Sequence, residues 1–151
     1  MSLLESGADT GTARAYTFAL RGATSCAPVA TWDSSFGFKY MMAVSYTGVD
    51  QTADPVTFNN QNNPTQGNSS TATLSADSVP NSWIVTFADN NVDTFTGMTN
   101  GTIRIDIPSN GFMTGDSNGI VVANAPYSTA LSYPGPDNNV HVQQVEISPA
   151  H

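Results

Sequence analysis

Residues 14–20 of the chain read Arg-Ala-Tyr-Thr-Phe-Ala-Leu. Large apolar side chains at Tyr16, Phe18 and Leu20 alternate with small ones, and this two-residue period is that of a β-strand with one buried face. Residues 38–46 alternate in the same way over a longer stretch, and their second face is also moderately apolar. We therefore expect strands in both stretches, with the longer one at the centre of a sheet.

Eight further runs along the chain are short and rich in β-branched and aromatic residues, with turn-forming residues between them. These predicted strands are residues 29–32, 55–58, 71–74, 83–88, 102–107, 120–125, 128–133 and 140–147. Residue types that favour helices, such as lysine, arginine and leucine, are scarce in this chain. The sequence therefore predicts an all-β fold, a two-sheet antiparallel sandwich of jelly-roll type with about ten short strands.

The pattern of large residues predicts two details of this fold. Within 140–147, Val142 and Val145 differ in parity, which predicts a β-bulge near Gln143 and Gln144. The side chains expected to belong largely to the core are Tyr16, Phe18, Phe38, Tyr40, Met42, Val44, Trp83, Val85 and Phe87.

Length and composition limit the classes of protein that the chain can represent. Its 151 residues suit one domain, and no linker or internal repeat divides them, so we expect a single domain over residues 1–151. Only four cations face twelve carboxylates, for a net charge of −8. Four scattered cations cannot supply the roughly 6–10 phosphate contacts of a typical nucleic-acid-binding protein. An anionic membrane surface is disfavoured for the same reason, and the longest aliphatic runs, of four residues, are too short to span a bilayer.

The sequence pattern singles out no residue combination for catalysis. Twelve carboxylates leave a pair for glycoside hydrolysis open, but nothing in the sequence marks one such pair. Cys26 is the only cysteine, which excludes an internal disulfide and cysteine-rich metal sites, and we expect it to be a small buried residue. His141 is the only internal histidine, and we expect it on the polar face of its strand rather than in the role of a base. No Gly-x-Ser-x-Gly motif exposes a serine. We therefore expect that the protein is not an enzyme and that it uses no cofactor.

One turn has the oxygen spacing of a calcium-binding loop. Asp89, Asn91 and Asp93 place oxygen-bearing side chains at alternate positions, as such loops do. Thr94 stands where an EF-hand needs glycine and Asn100 where it needs glutamate, which excludes an EF-hand but leaves another calcium site open. The alternative is a solvated hairpin turn, and this is the favoured interpretation, so we expect no bound metal.

Two other clusters have both a structural and a functional interpretation. Asp50, Gln51 and Asp54 group side-chain oxygens, and a polar turn is the favoured interpretation. Trp32, Trp83 and the five tyrosines could form platforms on which sugar rings stack, whereas the apolar neighbours of the two tryptophans favour packing in the core.

Five segments together carry a resemblance to known domains. They are residues 13–20, 27–32, 43–52, 82–87 and 140–147. The sequence resembles the jelly-roll (lectin-like β-sandwich) domains of phage virion proteins and bacterial surface proteins. In those domains, as here, a strand ends in a turn like Ser-Tyr-Thr-Gly-Val-Asp-Gln-Thr and a Ser/Thr/Asn-rich stretch follows it. The resemblance covers about residues 3–147 and implies a fold and a setting, with no catalytic motif to carry over. Similar domains have further strands ahead of residues 3–6. We expect that the sheet edge left by their absence here is covered by another subunit, and the alternative is that it stays uncovered.

The expected function is that of a non-enzymatic structural virion protein, either a decoration or cement protein of a phage capsid or a small tail or fibre component. Its partners would be capsid shell or tail proteins and further copies of itself, with residues 1–9 packed on a neighbouring subunit. The N-terminus lacks the basic start and apolar stretch of a signal peptide, which fits either assembly inside a cell or secretion by another route. The alternative is a carbohydrate-binding or adhesin module, extracellular or on a cell surface, whose partners are surface glycans.

Overall fold

The structure, a computed structural model, describes residues 2–6, 16–20, 22, 27–31, 41–52, 56–62, 71–77, 81–90, 94–107, 111–121, 126–134 and 140–150. Within these ranges the regular structure consists of β-strands that pair antiparallel. This confirms the all-β, antiparallel part of the predicted fold. None of the described segments is a helix long and apolar enough to cross a membrane.

The described strands form three sheets. In chain order they are β1 (Ser2–Ser6), β2 (Tyr16–Ala19), β3 (Val56–Asn62), β4 (Thr71–Asp77), β5 (Trp83–Asp89), β6 (Gly97–Met98), β7 (Thr102–Ile107), β8 (Phe112–Asp116), β9 (Pro126–Ser132) and β10 (His141–Ile147). A two-stranded ribbon contains β1 and β2, a five-stranded sheet has the order β3-β10-β5-β8-β7, and a three-stranded sheet has the order β4-β9-β6. Residues 2–6 thus pair with a strand of their own chain.

The main apolar core joins the five-stranded sheet to the three-stranded sheet. Its buried members are Ala88, Phe95, Met113, Leu131, Tyr133, Val140 and Val142. Ala88, Met113 and Val142 come from neighbouring strands of the larger sheet, whereas Leu131 comes from β9. The rings of Phe95 and Tyr133 meet edge to face with their centroids 5.9 Å apart, an arrangement that aromatic pairs prefer.

Strand β10 is buried on both of its faces. All six residues from His141 to Glu146 are buried, including two glutamines. Its register with β5 is continuous, and the irregularity against β3 falls between Gln144 and Val145, where Phe58 is the extra residue. The predicted irregularity is therefore present, but the extra residue lies in β3 rather than in β10. The change of parity in β10 reflects burial of both faces.

The side-chain exposure along β2 differs from the predicted core. Tyr16, Phe18 and Leu20 are about half exposed, at 47%, 53% and 49%, so the prediction that the first two are core residues is wrong. Thr17 is the buried residue, and its hydroxyl donates a hydrogen bond to the side-chain oxygen of Gln143 in β10. Alternation revealed the period of the strand, but it could not show which face turns towards the sheet.

The remaining predicted core residues have mixed outcomes. Val85 is 1% exposed, which confirms its place in the core. Trp83 and Phe87 are half-buried, and so are Met42 and Val44. The predictions for Phe38 and Tyr40 lie outside the described residues.

Three predicted strands are wrong where the structure describes them. Residues 29–31, 41–46 and 120–121 are not strands, and the other parts of these predicted strands lie outside the described residues. Along 41–46 exposed and half-buried side chains alternate as predicted, yet the segment joins none of the three sheets. An extended apolar pattern is therefore not sufficient for a strand, because a neighbour must also supply backbone hydrogen bonds.

Strand β8 was missed because it contains a glycine, which sequence patterns treat as a strand breaker. In the structure, neighbouring atoms lie so close to the backbone of Gly115 that a side chain has no room there. A Cβ atom there would lie 2.6 Å from Met98 Sδ, 2.9 Å from the carbonyl oxygen of Thr102 and 3.1 Å from Met113 Cε. The neighbouring strand and two methionines occupy the space that any side chain would need.

We expect Gly115→Ala to lower the free energy of unfolding by about 1–3 kcal/mol, because the methyl group overpacks this contact. Urea denaturation measures the effect. Gly97→Ala is the matched control, since its new methyl group would lie 3.9 Å from Ser132 Cβ, an ordinary contact. Equal unfolding midpoints for the two variants would contradict the explanation.

Candidate functional site

A buried carboxylate at the end of β8 organises one face of the five-stranded sheet. Asp116 is 2% exposed and pairs across the sheet with Val85 on one side and Thr102 on the other. Arg104 binds it with two parallel hydrogen bonds, from Nε to Oδ2 and from Nη2 to Oδ1, both 2.9 Å long. This two-point geometry holds both side chains in fixed orientations.

Local backbone features bring these groups together. The register of β7 shifts between Ile103 and Ile105, so Arg104 is the extra residue beside β8. Its Nη2 also donates to the side-chain oxygen of Asn118 at 2.8 Å, and the backbone N–H of Asn118 donates to Asp116 Oδ1 at 2.8 Å. Asn118 adopts a φ of 55°, which an asparagine tolerates better than most residues. The turn after β8 thus closes around the carboxylate.

Tyr46 connects this ion pair to an aromatic surface. Its hydroxyl donates a hydrogen bond of 3.2 Å to Asp116 Oδ2, and its ring packs at 56° against Trp83 with the centroids 6.0 Å apart. Trp83 lies on the same face of the sheet as Asp116, because Val85 pairs with Asp116 and Trp83 is two residues before Val85. The buried carboxylate therefore anchors the tip of the tyrosine whose ring contacts the tryptophan.

The electrostatics of this cluster keep Asp116 ionised. Burial alone would raise the pKa of Asp116, but hydrogen bonds from Arg104, the Asn118 amide and Tyr46 outweigh burial and bring that pKa below its ordinary value. Burial and the nearby carboxylate raise the pKa of Tyr46, so its hydroxyl remains a donor. The hydrogen bond to Asp116 raises the pKa of Arg104. The cluster is thus a neutralised ion pair with a tyrosine attached.

Tyr46 and Trp83 form part of the wall of an open groove of about 300 Å³. Among the described residues, the lining is completed by residues 45–49 and Pro149, and none of these carries a charged side chain. Backbone hydrogen bonds of 2.9 Å hold its two edges together, from Asp50 N to the oxygen of Ser148 and from Ala150 N to the oxygen of Gly48. We call this surface the aromatic groove.

A second surface lies on β2 and the residue after it. The side chains of Tyr16, Phe18 and Leu20 share one side of the strand and are each about half exposed. The rings of Tyr16 and Phe18 stack at 30° with their centroids 6.5 Å apart. We call this row the β2 apolar face.

Asp89, the first residue of the turn considered as a calcium-site candidate, lies beside His141 in the structure. Asp89 is mostly buried and pairs across the β5–β10 ladder with His141, whose Nδ1 lies 3.7 Å from Asp89 Oδ2. His141 is therefore buried, and it shares its face of β10 with the buried Gln143. Asn91 and Asp93 lie outside the described residues. Across the described ranges, no group of three or more His, Cys, Asp or Glu side chains is placed to hold a metal ion.

The other predicted clusters have separate outcomes. Asp50 accepts hydrogen bonds of 2.7 Å from both the backbone N–H and the hydroxyl of Thr52, which confirms a polar turn there. Trp83 is half-buried and also lines the aromatic groove, and its interpretation as a sugar platform stays a prediction. The predictions for Asp54, Cys26 and Trp32 lie outside the described residues.

Sequence reasoning missed the cluster of Asp116, Arg104 and Tyr46. A signal for it was present, because Arg104 is one of only four cations and stands within a predicted strand. A cation in such a place needs a partner, but twelve carboxylates compete for that role in the sequence.

We compared the chain with protein families, curated proteins and solved structures. No family model, curated protein or solved structure matches this chain. Its function is therefore inferred from the aromatic groove, the β2 apolar face and the charge of the chain.

Proposed function

We propose that the protein is a non-enzymatic structural subunit of a virion, either an outer decoration protein of a phage capsid or a small tail or fibre component. The β2 apolar face is the observation that carries this proposal. Its three large side chains stand in one row and remain about half exposed, although a strand normally turns such residues into the core. A contiguous exposed apolar surface with polar surroundings is typical of a protein–protein contact.

We take a second copy of this chain as the occupant of the β2 apolar face. Arg14 and Arg21, two of the four cations in the chain, flank this segment in the sequence. A second copy, which carries a net charge of −8, offers acidic surface that complements this locally basic segment. Other virion proteins with a basic patch would take the remaining acidic surface, through contacts that weaken as salt is added.

The fold type that we propose is a two-sheet sandwich of jelly-roll type. The buried cluster that joins the five-stranded and three-stranded sheets supports it, because a sandwich buries its core between two sheets. The resemblance of the sequence to jelly-roll domains of virion proteins supports the same setting. A sandwich without disulfides can fold in a reducing cytoplasm and then add to a particle.

We expect the wild-type protein to form oligomers in sedimentation equilibrium, and the double variant Tyr16→Ser/Phe18→Ser to raise the dissociation constant by about 100-fold or more. The reason is that aromatic anchors supply most of the binding energy of such contacts. Ile120→Ser is the matched control, since Ile120 is also a large apolar residue and is 59% exposed. A monomeric wild type, or equal losses in both variants, would contradict the role of the β2 apolar face.

Particle composition tests the virion setting itself. Quantitative mass spectrometry of purified particles of the encoding phage is expected to find hundreds of copies of a decoration protein, or a few copies of a tail or fibre component. Absence of the protein from purified particles would contradict the proposal.

A further inference from the structure

We propose that the aromatic groove binds an uncharged saccharide. This inference goes beyond the proposed virion role and does not depend on it, because the groove and the β2 apolar face share no residue. Three features of the groove point to this ligand: its aromatic wall, its uncharged polar lining, and the buried ion pair that holds the wall in place.

The aromatic wall matches the apolar side of a sugar ring. Trp83 is half-buried, so part of its indole faces the groove, and the Tyr46 ring stands at 56° to it. A pyranose ring presents C–H groups on its faces and hydroxyls around its rim. One aromatic face packs against the C–H groups, and the tilt of the second ring makes a corner that limits where the sugar can lie.

The rest of the lining matches the hydroxyl rim of a sugar. Ser45 and Thr47 are exposed and carry hydroxyls that both donate and accept hydrogen bonds. The backbone of residues 47–49 runs along the groove with them. In a chain with a net charge of −8, a lining whose described residues carry no charged side chain disfavours a metal cation and a strongly ionic ligand alike. The volume of about 300 Å³ is at the small end of the range for small-molecule sites.

Asp116 acts as a positioning residue for this groove. It holds the hydroxyl of Tyr46 at 3.2 Å, and Arg104 in turn holds Asp116 at two points. The tyrosine ring is therefore oriented before any ligand arrives, which reduces the entropy lost on binding. Because Arg104 neutralises Asp116, this anchor adds no net charge to the groove.

The test uses the intact protein and the methyl glycosides of glucose, galactose, mannose and N-acetylglucosamine as probes. Each is titrated while the backbone amide chemical shifts and the tryptophan fluorescence are recorded. We expect at least one glycoside to give a saturable response that includes residues 45–49. No saturable response to any of the four would overturn the proposal.

Substitutions then locate the site. Thr47→Arg places a long charged side chain in the groove from an exposed position, and we expect it to weaken binding at least tenfold without lowering the melting temperature. Thr96→Arg is the matched control, because Thr96 is also exposed and does not line the groove. Unchanged glycoside binding by Thr47→Arg would overturn the assignment of the groove.

The positioning role has its own readout. Tyr46→Phe keeps the ring but removes the hydrogen bond to Asp116, and we expect it to weaken glycoside binding and to broaden the ring resonances of residue 46. Unchanged affinity would remove Asp116 from the site. The β2 variant Tyr16→Ser/Phe18→Ser is expected to lose self-association and keep glycoside binding, so failure of one proposal is distinguishable from failure of the other.

Discussion

Leu131→Ala is expected to lower the free energy of unfolding by about 2–5 kcal/mol. Leu131 is 0% exposed and belongs to the cluster that joins the three-stranded sheet to the five-stranded sheet. Truncation removes apolar contacts to both sheets and leaves a cavity between them, and the surrounding strands are too constrained by their ladders to fill it. Urea denaturation followed by circular dichroism measures the loss.

Ile120→Ala is the control for this experiment, because Ile120 is 59% exposed and its truncation should change the unfolding free energy by less than about 0.5 kcal/mol. If both variants unfold at the same urea concentration, Leu131 does not pack between two sheets as described.

Asp116→Ala is expected to lower the free energy of unfolding by about 2–3 kcal/mol. The variant loses two hydrogen bonds from Arg104, one from Tyr46 and one from the Asn118 amide, and it leaves the buried end of Tyr46 without its acceptor. The loss stays below that of a fully buried ion pair because the Arg104 side chain is 40% exposed and can turn towards water. Thermal and urea unfolding measure the difference.

Asp106→Ala is the matched control, since Asp106 is an acidic residue of the neighbouring strand that accepts a hydrogen bond of 3.2 Å from Thr94. Its substitution should cost less than about 1 kcal/mol. An equal cost for the two aspartates would show that the network around Asp116 adds nothing.

The stabilisation of the fold by Asp116 should decrease as the pH is lowered into the acid range. Its pKa in the folded protein lies below the ordinary value of 3.8, so the folded state favours the ionised form. The stabilisation is therefore present above pH 3.8 and is lost as the pH falls through the lower folded-state pKa. The difference in unfolding free energy between wild type and Asp116→Ala should stay constant near neutral pH and shrink in acid. A difference that does not change down to the lowest pH at which the wild type folds would contradict this assignment.

Several strands could be predicted from the sequence because their residue types favour strands and turn-forming residues mark both of their ends. The predicted strand at 102–107 coincides with β7 (Thr102–Ile107), and the predictions at 83–88 and 140–147 lie on β5 and β10. These strands combine β-branched residues with clear turn signals on both sides. Strand β8 carries Gly115, which the close approach of Met98, Thr102 and Met113 explains, whereas local propensity disfavours glycine in a strand.

Which face of a strand is buried was harder to predict than the two-residue alternation that identifies the strand. The alternation of Tyr16 and Phe18 correctly indicated a strand, but the buried face carries Thr17, since this ribbon contacts the larger sheet through a hydrogen bond to Gln143. Which face is covered depends on what lies opposite, and that information is distributed over distant parts of the chain.

The candidate site could not be predicted because its parts are distant in the sequence. Tyr46 and Asp116 are 70 positions apart, and their contact depends on the register of β5 against β8. Residue type alone made Trp83 and the five tyrosines candidate aromatic platforms, but it did not indicate that Tyr46 is the tyrosine that packs against Trp83. A register shift of one residue would turn Asp116 to the opposite face of the sheet and abolish the cluster.

The place of β10 in the five-stranded sheet also governs when the protein can fold. This strand lies between β3 and β5, yet residues 141–147 are synthesised long after both of its neighbours. Until those residues leave the ribosome, β3 and β5 have no strand to join them, and their edges stay available for wrong pairings. Contacts of such long sequence separation form slowly, so the sheet must be completed after synthesis of this region rather than during it. Any contact that needs the completed five-stranded sheet would therefore form only after residues 141–147 have been synthesised.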